Sequence, residues 1–315
     1  MTDDPLRRYW QPVARVDALG DGPVAARLLG EDLVVVKLGD EVTVFQDLCI
    51  HRGTPLSMGW IDDDRLVCAY HGWAYDATGA CVRIPSLADG RHIPTKARVV
   101  TFPHAIAYGL VWACLDEPTG PLPEFAEFDD PGFATRMVGP WPYTANAARV
   151  TENSMDYTHF PWVHEGLLGD RSRPTYPETK PVVVETGLSY SIRDDRNGTI
   201  RNYRLFLPFT LSIRVDRQDP GDERRYSMLF ACAATSTRES VLWFVEARNW
   251  SSDGEDLDRE EFDRRVREQD QQIVQRQRPE LLPLDLTEEL HLRGTDAGAL
   301  EYRRLLRRVG VSWVA

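Results

Sequence analysis

The sequence predicts two domains of the α+β class: an all-β N-terminal domain, then a larger domain that joins an antiparallel sheet to long helices. Three observations carry this expectation. The first third of the 315 residues is a series of β-branched segments broken by turns containing Gly and Asp. A Pro- and acid-rich stretch without periodicity, "DEPTGPLPEFAEFDDPG" at 116–132, then interrupts the chain. Beyond it, strands and helices come in blocks and do not alternate, which argues against a doubly wound parallel sheet.

The β-rich part contains "DLVVVKLGDEVTVFQDL" (32–48), two β-branched runs about a Gly-Asp turn, the pattern of a hairpin. "RLVCAYHGWAYDATGACVRIP" (65–85) repeats it, with a turn at "DATGA". "AIAYGLVWACL" (105–115) is the longest apolar run; it is too short to span a bilayer and is expected as a buried strand. The Pro-rich stretch holds the domain boundary, giving residues 1–118 and 119–315. A helix is expected over 148–160, with Pro161 disfavouring its continuation through Phe160. Strand-like segments follow at 180–194, 200–217, 225–236 and 240–250. Helices are expected at 255–278 and 296–309, the second ending in basic residues ahead of Gly310 as a C-cap.

The chain carries 37 Lys and Arg against 49 Asp and Glu, a net charge of −12. Such a surface repels nucleic acid and anionic membranes, so neither is an expected partner. The N-terminus shows no apolar h-region, and five cysteines are an odd number, so a secreted disulfide framework is not expected. A cytoplasmic enzyme is the expectation, with any special cysteines serving as metal ligands or reactive thiols.

Four residues form the first metal constellation: Cys49 and His51 in a C-x-H arm, then Cys68 and His71 in a C-x-x-H arm. Each arm supplies one thiolate and one imidazole. A zinc finger usually pairs its cysteines in one arm and its histidines in the other. Mixed arms suit a two-iron cluster in which one iron takes both thiolates and the other both imidazoles, the Rieske [2Fe–2S] arrangement. Gly53 and Gly72 follow the arms and would let the backbone approach the sulfides. Cys81, Cys114 and Cys232 fit no ligand position and are expected as small buried hydrophobes.

The second constellation is "ENSMDYTHFPWVH", with His159 and His164 five residues apart. Two imidazoles and one carboxylate make the facial triad of a non-haem iron site. Asp156 is the near carboxylate, placed beside His159 if the segment is helical. A second candidate comes from "EEFDRRVREQDQQIVQRQRPE". Phe262, Val266, Ile273, Val274 and Gln277 fall on one helical face, and Asp270 lies among them while most other charges point away. An acid on an apolar face is costly unless it is paired or bound to metal.

Both constellations resemble those of the Rieske non-haem iron oxygenases. The likeness extends to "HRGTPLSMG" after the first arm, "YWQPVA" near the N-terminus, "VHEGLLGD" after the second histidine and "LPLDLTEELHLRGTDAGALEYRRLL" near the end. Length and tail look most like the α-subunit-only branch of vanillate O-demethylase and related aromatic monooxygenases. The resemblance implies an N-terminal Rieske domain and a catalytic domain whose curved antiparallel sheet wraps long helices in the helix-grip manner. It implies that Cys49, His51, Cys68 and His71 hold the [2Fe–2S] cluster, and that His159, His164 and Asp270 hold a mononuclear Fe(II). Asp156 would then bridge His159 to His71 of a neighbouring subunit as the electron path, with Asn153 in a supporting role beside the iron. The resemblance thereby implies a ring-shaped oligomer with head-to-tail contacts, expected as a homotrimer.

The implied activity is that of a terminal oxygenase. It uses O₂ and NAD(P)H-derived electrons from a separate flavin- or ferredoxin-type reductase to hydroxylate or oxidatively demethylate a small aromatic or heterocyclic substrate. Ring dihydroxylation and natural-product tailoring use the same centres and stay open as alternatives. A non-catalytic Rieske electron carrier or a zinc-stabilised binding module would leave the 153–164 motif unexplained. Lining of the substrate pocket is expected from the strands at 201–215 and 226–248 and from the loop after His164, with Phe206, Trp243 and Phe244 as aromatic candidates.

Overall fold

The computed structural model describes residues 4–20, 22–195, 197–250 and 256–312. The chain divides into two compact units, Arg7–Leu122 and a second that begins at Pro123 and takes in the first residues up to Leu6.

The Arg7–Leu122 unit contains the strands β1 (Gln11–Arg15), β2 (Val24–Leu28), β3 (Glu31–Leu38), β4 (Glu41–Gln46), β5 (Trp60–Asp62), β6 (Arg65–Val67), β7 (Ala74–Tyr75), β8 (Cys81–Arg83), β9 (His104–Ala107) and β10 (Leu110–Ala113). They form three antiparallel sheets in the orders β1-β10-β9, β2-β3-β4 and β5-β6-β7-β8. The expected β3–β4 hairpin turns at Gly39–Asp40, pairing Leu38 with Glu41. The run 105–115, read from sequence as one strand, is a hairpin: β9 and β10 pair Ala107 with Leu110 about Tyr108–Gly109. Its apolar character is uniform because Leu110, Val111, Trp112 and Ala113 are all buried, which hides the turn from periodicity. Val34, Val36, Phe45, Leu66 and Tyr75 build one core, and the Cys49 and Cys68 side chains belong to it.

The second unit contains β11 (Ala134–Tyr143), α1 (Ala147–Met155), α2 (Phe160–Val163), β12 (Val182–Val184), β13 (Gly187–Asp194), β14 (Thr199–Phe206), β15 (Thr210–Arg217), β16 (Arg225–Ala234), β17 (Ser240–Arg248), α3 (Asp256–Val274) and α4 (Ala297–Arg308). Its seven strands make one curved antiparallel sheet, ordered β11-β17-β16-β15-β14-β13-β12. Helix α1 packs on β15, β16 and β17 and also touches α3 and α4. Strand β11 was not expected, since Gly139, Pro140 and Pro142 interrupt it. It survives because it is an edge strand with a register shift between Val138 and Trp141, where missing N–H donors cost little.

The helix expected over 148–160 stops at Met155. Asn146 caps its start by accepting from the Ala148 N–H at 3.1 Å. At its end Asp156 turns to an extended conformation, and the Met155 carbonyl accepts from the Tyr190 hydroxyl at 2.8 Å. Pro161 does not end a helix but sits in the first turn of the next one, where its missing N–H would have had no partner. Helix α3 buries Val266, Asp270 and Val274, whereas Ile273, assigned from sequence to the same face, is 49% exposed. Asp263, one of the charges expected to point away, is buried. The expected start of this helix at residue 255 lies outside the described residues. Arg303 of α4 is buried and anchors α1 through Glu152 at 2.6 Å. Among the described residues no helix is long and apolar enough to cross a membrane.

Candidate metal centres

The two Cys/His arms are built alike. In the first, the Cys49 N–H bonds the Thr54 carbonyl at 2.8 Å and the Gly53 N–H bonds the Cys49 carbonyl at 2.9 Å. In the second, the Cys68 N–H bonds the Trp73 carbonyl at 2.8 Å and the Gly72 N–H bonds the Cys68 carbonyl at 3.0 Å. Gly53 and Gly72 take φ of +71° and +67°, which a side chain would strain. The two loops thus present equivalent tips. The His51 and His71 rings lie 4.5 Å apart, and Trp73 stacks on His51.

The residues fit a two-iron cluster. Cys49 and Cys68 are free and buried, and burial pushes the Cys68 thiol pKa up, a cost that a bound metal would offset. The Nδ1 of His51 is buried without a hydrogen-bond partner, as a ligand atom aimed at an absent group would be. Among the described residues, only His159, His164 and Asp270 bring three ligand atoms within 4.8 Å of one another. The four loop residues therefore do not converge on one ion, as tetrahedral zinc requires. The Tyr75 hydroxyl lies 3.2 Å from the Cys49 sulfur, a contact the sequence reading missed.

The second centre lies in the other unit. His164 Nε2 is 3.0 Å from Asp270 Oδ1, and His159 Nε2 is 3.6 Å from the same oxygen. Ligands at right angles about a metal with bonds of about 2.1 Å sit about 3.0 Å apart, so the spacing suits one shared ion. The outer ring nitrogens are occupied. His159 Nδ1 donates to Asp156 Oδ2 at 3.0 Å, and His164 Nδ1 donates to Gln269 Oε1 at 2.8 Å. That proton placement leaves both Nε2 lone pairs turned to the ion position. This is a His/His/Asp facial-triad site consistent with mononuclear iron.

Asp270 is 2% exposed. Burial works to raise its pKa, but the Arg267 guanidinium beside it, the His164 hydrogen bond and the nearby His159 outweigh that and hold it at about 2. Asp156 is not a neighbour of Asp270 in this cluster. It reaches His159 through a turn, not a helix: its Oδ1 accepts from the Thr158 N–H at 2.8 Å and from the Thr158 hydroxyl at 2.7 Å. Burial again acts to raise the Asp156 pKa, and the His159 and Thr158 bonds lower it below the usual range. Its side chain stays 38% exposed, so one face remains accessible. Asn153 lies on the wall of the adjoining cavity.

That cavity has a volume of about 630 Å³ and reaches the triad. Its walls include the strand regions and the 166–170 loop expected from sequence, and also Phe262, Val266 and Arg267 of α3 and Phe160 of α2, which were not expected there. Phe244 lines it, whereas Phe206 and Trp243 do not and are buried elsewhere. Gly169 lets the loop lie against α2, since a Cβ there would come within 2.4 Å of the Pro161 nitrogen. Sequence reading missed Gln269 and Arg267, although both flank Asp270 and a helix carrying a metal ligand usually supplies its supporting groups nearby.

The profile of the Rieske [2Fe-2S] domain matches residues 9–103. That of the vanillate O-demethylase oxygenase C-terminal domain matches residues 143–202 and 195–311. The chain is 30% identical to the methylxanthine N1-demethylase NdmA of Pseudomonas putida, over 96% of this chain and 89% of the relative. It is 28% identical to the methylxanthine N3-demethylase NdmB of the same organism, over 98% and 91%. The solved structure of Pseudomonas putida NdmA with caffeine superposes with a TM-score of 0.88 at 29% identity, covering 96% of this chain and 90% of that one. Dicamba monooxygenase bound to dicamba has a TM-score of 0.81 at 20% identity over 96% and 97%, a likeness of fold.

Proposed function

The chain belongs to the Rieske non-haem iron oxygenases, in the branch of the vanillate and methylxanthine demethylases, and from that premise we propose that it removes a methyl group from, or hydroxylates, a small aromatic or heterocyclic ring. The observation that carries this reading is the triad opening onto a ring-sized cavity. Bound by these residues, the cluster would supply single electrons and the iron would activate O₂ for attack on a C–H or methyl group.

The chain's own residues perform the rest. His159 and His164 present their Nε2 lone pairs because Asp156 and Gln269 hold the opposite protons. Asp270 stays ionised and offers a charge that a neutral ligand set would lack. Ile213, Met228, Phe230 and Phe244 give the cavity an apolar wall against which a flat ring can lie, excluding water from the reacting edge. Electrons would come from NAD(P)H through a separate flavin- or ferredoxin-type reductase, since the sequence carries no G-x-G-x-x-G motif. The partly exposed Asp156 supports a head-to-tail trimer in which its carboxylate also accepts from His71 of a neighbouring copy.

The test is oxygen uptake by the iron-loaded protein with a surrogate reductase and a panel of methylxanthines and methoxybenzenes. Uptake should depend on one class of ring and be matched by formaldehyde. In His159→Ala it should vanish while the visible absorbance of the cluster remains. No uptake across the panel, or undiminished uptake in His159→Ala, would overturn the reading.

A further inference from the structure

The charges that line the cavity do not balance in place. Arg267 pairs with Asp270 at 3.3 Å, Arg259 with Glu246 at 3.2 Å, and Arg224 with Asp222 at 2.6 Å. Arg201 and Arg217 also line the cavity, and neither has a carboxylate within ion-pair distance among the described residues. Arg217 bonds the Asn197 carbonyl at 3.5 Å and is near enough to feel Asp222, the carboxylate already paired to Arg224, while Arg201 rests its guanidinium 5.4 Å above the Phe160 ring centroid. The Phe160 ring is in turn 4.9 Å from that of His159, so Arg201 stands one aromatic ring away from the triad.

The sheet register places these two arginines together. Strands β14 and β15 pair Thr199 with Arg217 and Arg201 with Val215, so all four side chains share the cavity face. Arg201 and Arg217 are diagonal neighbours on it, close enough for long side chains to meet. Two like charges on one face repel, and Arg201, which is half-buried, also loses hydration, whereas Arg217 is exposed. An anion between them would remove both costs and receive a fork of N–H donors from each.

We propose that Arg201, with Arg217 behind it, takes the anionic oxygen group of an aromatic acid, a carboxylate or sulfonate, and so selects acidic arenes over neutral rings. The acid end lies at the β14–β15 face, the ring passes over the apolar wall, and the opposite edge of the ring meets the triad. This rests on the oxygenase reading for why the ring is held there, but the anion site is a property of binding alone.

The experiment measures dissociation constants by calorimetry for 4-methoxybenzoate, 4-methoxybenzenesulfonate and the neutral isostere 4-methoxybenzamide, on the iron-loaded protein without reductase. Both acids, or one of them, should bind at least about tenfold tighter than the amide, the scale of one charged hydrogen bond. Which acid binds tighter identifies the group. The preference should shrink in high salt, disappear in Arg201→Gln and partly return in Arg201→Lys. Equal affinity for acids and amide, no binding of any of the three, or a preference that survives Arg201→Gln would overturn the proposal. Failure of the oxygenase reading would show instead as missing oxygen uptake with any ring, while the acid-to-amide ratio stands.

Discussion

Gln269→Leu should weaken iron binding at the triad without touching the Rieske cluster. His164 is 1% exposed, and its Nδ1 has Gln269 Oε1 as acceptor at 2.8 Å. With leucine in place, the iron-free ring can carry its proton on Nε2, where Asp270 Oδ1 waits at 3.0 Å. Iron at Nε2 then forces the proton to Nδ1, buried and without an acceptor. A buried donor left unpaired costs about 1–3 kcal/mol, and here the cost falls mainly on the metal-bound form. That corresponds to an affinity loss of about 5- to 150-fold, which brackets the roughly 10- to 100-fold typical when a group supporting a metal-bound histidine is removed. Gln269→Glu makes the opposite change: a carboxylate can only accept, so it favours the Nδ1–H ring and should hold or tighten binding. Competition with a ferrous chelator, followed on cluster-loaded protein, measures both variants. Wild-type affinity in Gln269→Leu, or equal weakening in both variants, would refute this account of how the ring is held.

Asp270→Asn should lower the stability of the iron-free protein in a pH-dependent way. The native carboxyl sits at about 2 against an ordinary 3.8, so its stabilisation is present above pH 4 and lost as pH falls towards 2. The difference from wild type, about 2 kcal/mol at neutral pH, should close across that window in urea titrations. Tyr75→Phe removes the hydroxyl that would donate to Cys49 once that sulfur is a cluster-bound thiolate, a bond that would favour the more negative reduced cluster. The reduction potential should fall by about 40 mV, equivalent to about 1 kcal/mol, with little change in fold; spectroelectrochemistry reads it. Asp156→Asn should keep both metal centres yet slow single-turnover oxidation of the cluster by about tenfold or more. Loss of mononuclear iron alone in that variant would instead make Asp156 a ligand.

Local chemistry was readable from the chain, and the pairing of Asp270 with His159 and His164 was reachable through an acid on an apolar helix face and the family resemblance; most other long-range pairing was not. The arms Cys49–His51 and Cys68–His71 declare themselves because each ligand pair is set by a few residues of spacing within one turn. The β3–β4 hairpin is legible for the same reason. By contrast, Asp156 was placed beside His159 by helical periodicity, and the two do meet, but through a turn that Thr158 stabilises. A contact three residues apart is compatible with either geometry, so proximity was predicted and conformation was not. Strand β11 was hidden by Pro140 and Pro142, whose tolerance depends on the strand lying at an edge. Arg201 carried no signal at all, since its meaning comes from the β14–β15 register and from having no carboxylate within ion-pair distance among the described residues.

The inner face of α3 shows why one buried acid suits a metal and another does not. Asp263 and Asp270 are seven residues apart, two helical turns, and both are at most 5% exposed. Periodicity marks both as inward and cannot separate them. Their company does. Asp263 faces Glu246, another buried carboxylate, with Arg136 contacting both acids and Arg259 on Glu246. Burial and the Glu246 charge push Asp263 up to about 6 against the pull of the two arginines. Its surroundings are already filled by fixed cations, so a metal ion there would meet repulsion and find no imidazole lone pair. Asp270 faces two imidazoles whose protons are held on their far sides, which adds two neutral donors. A cation at that point gains one anionic oxygen and two nitrogens while displacing no existing ion pair except the loose one to Arg267. The ligand set is therefore defined by what α1, α2 and the sheet place opposite each acid.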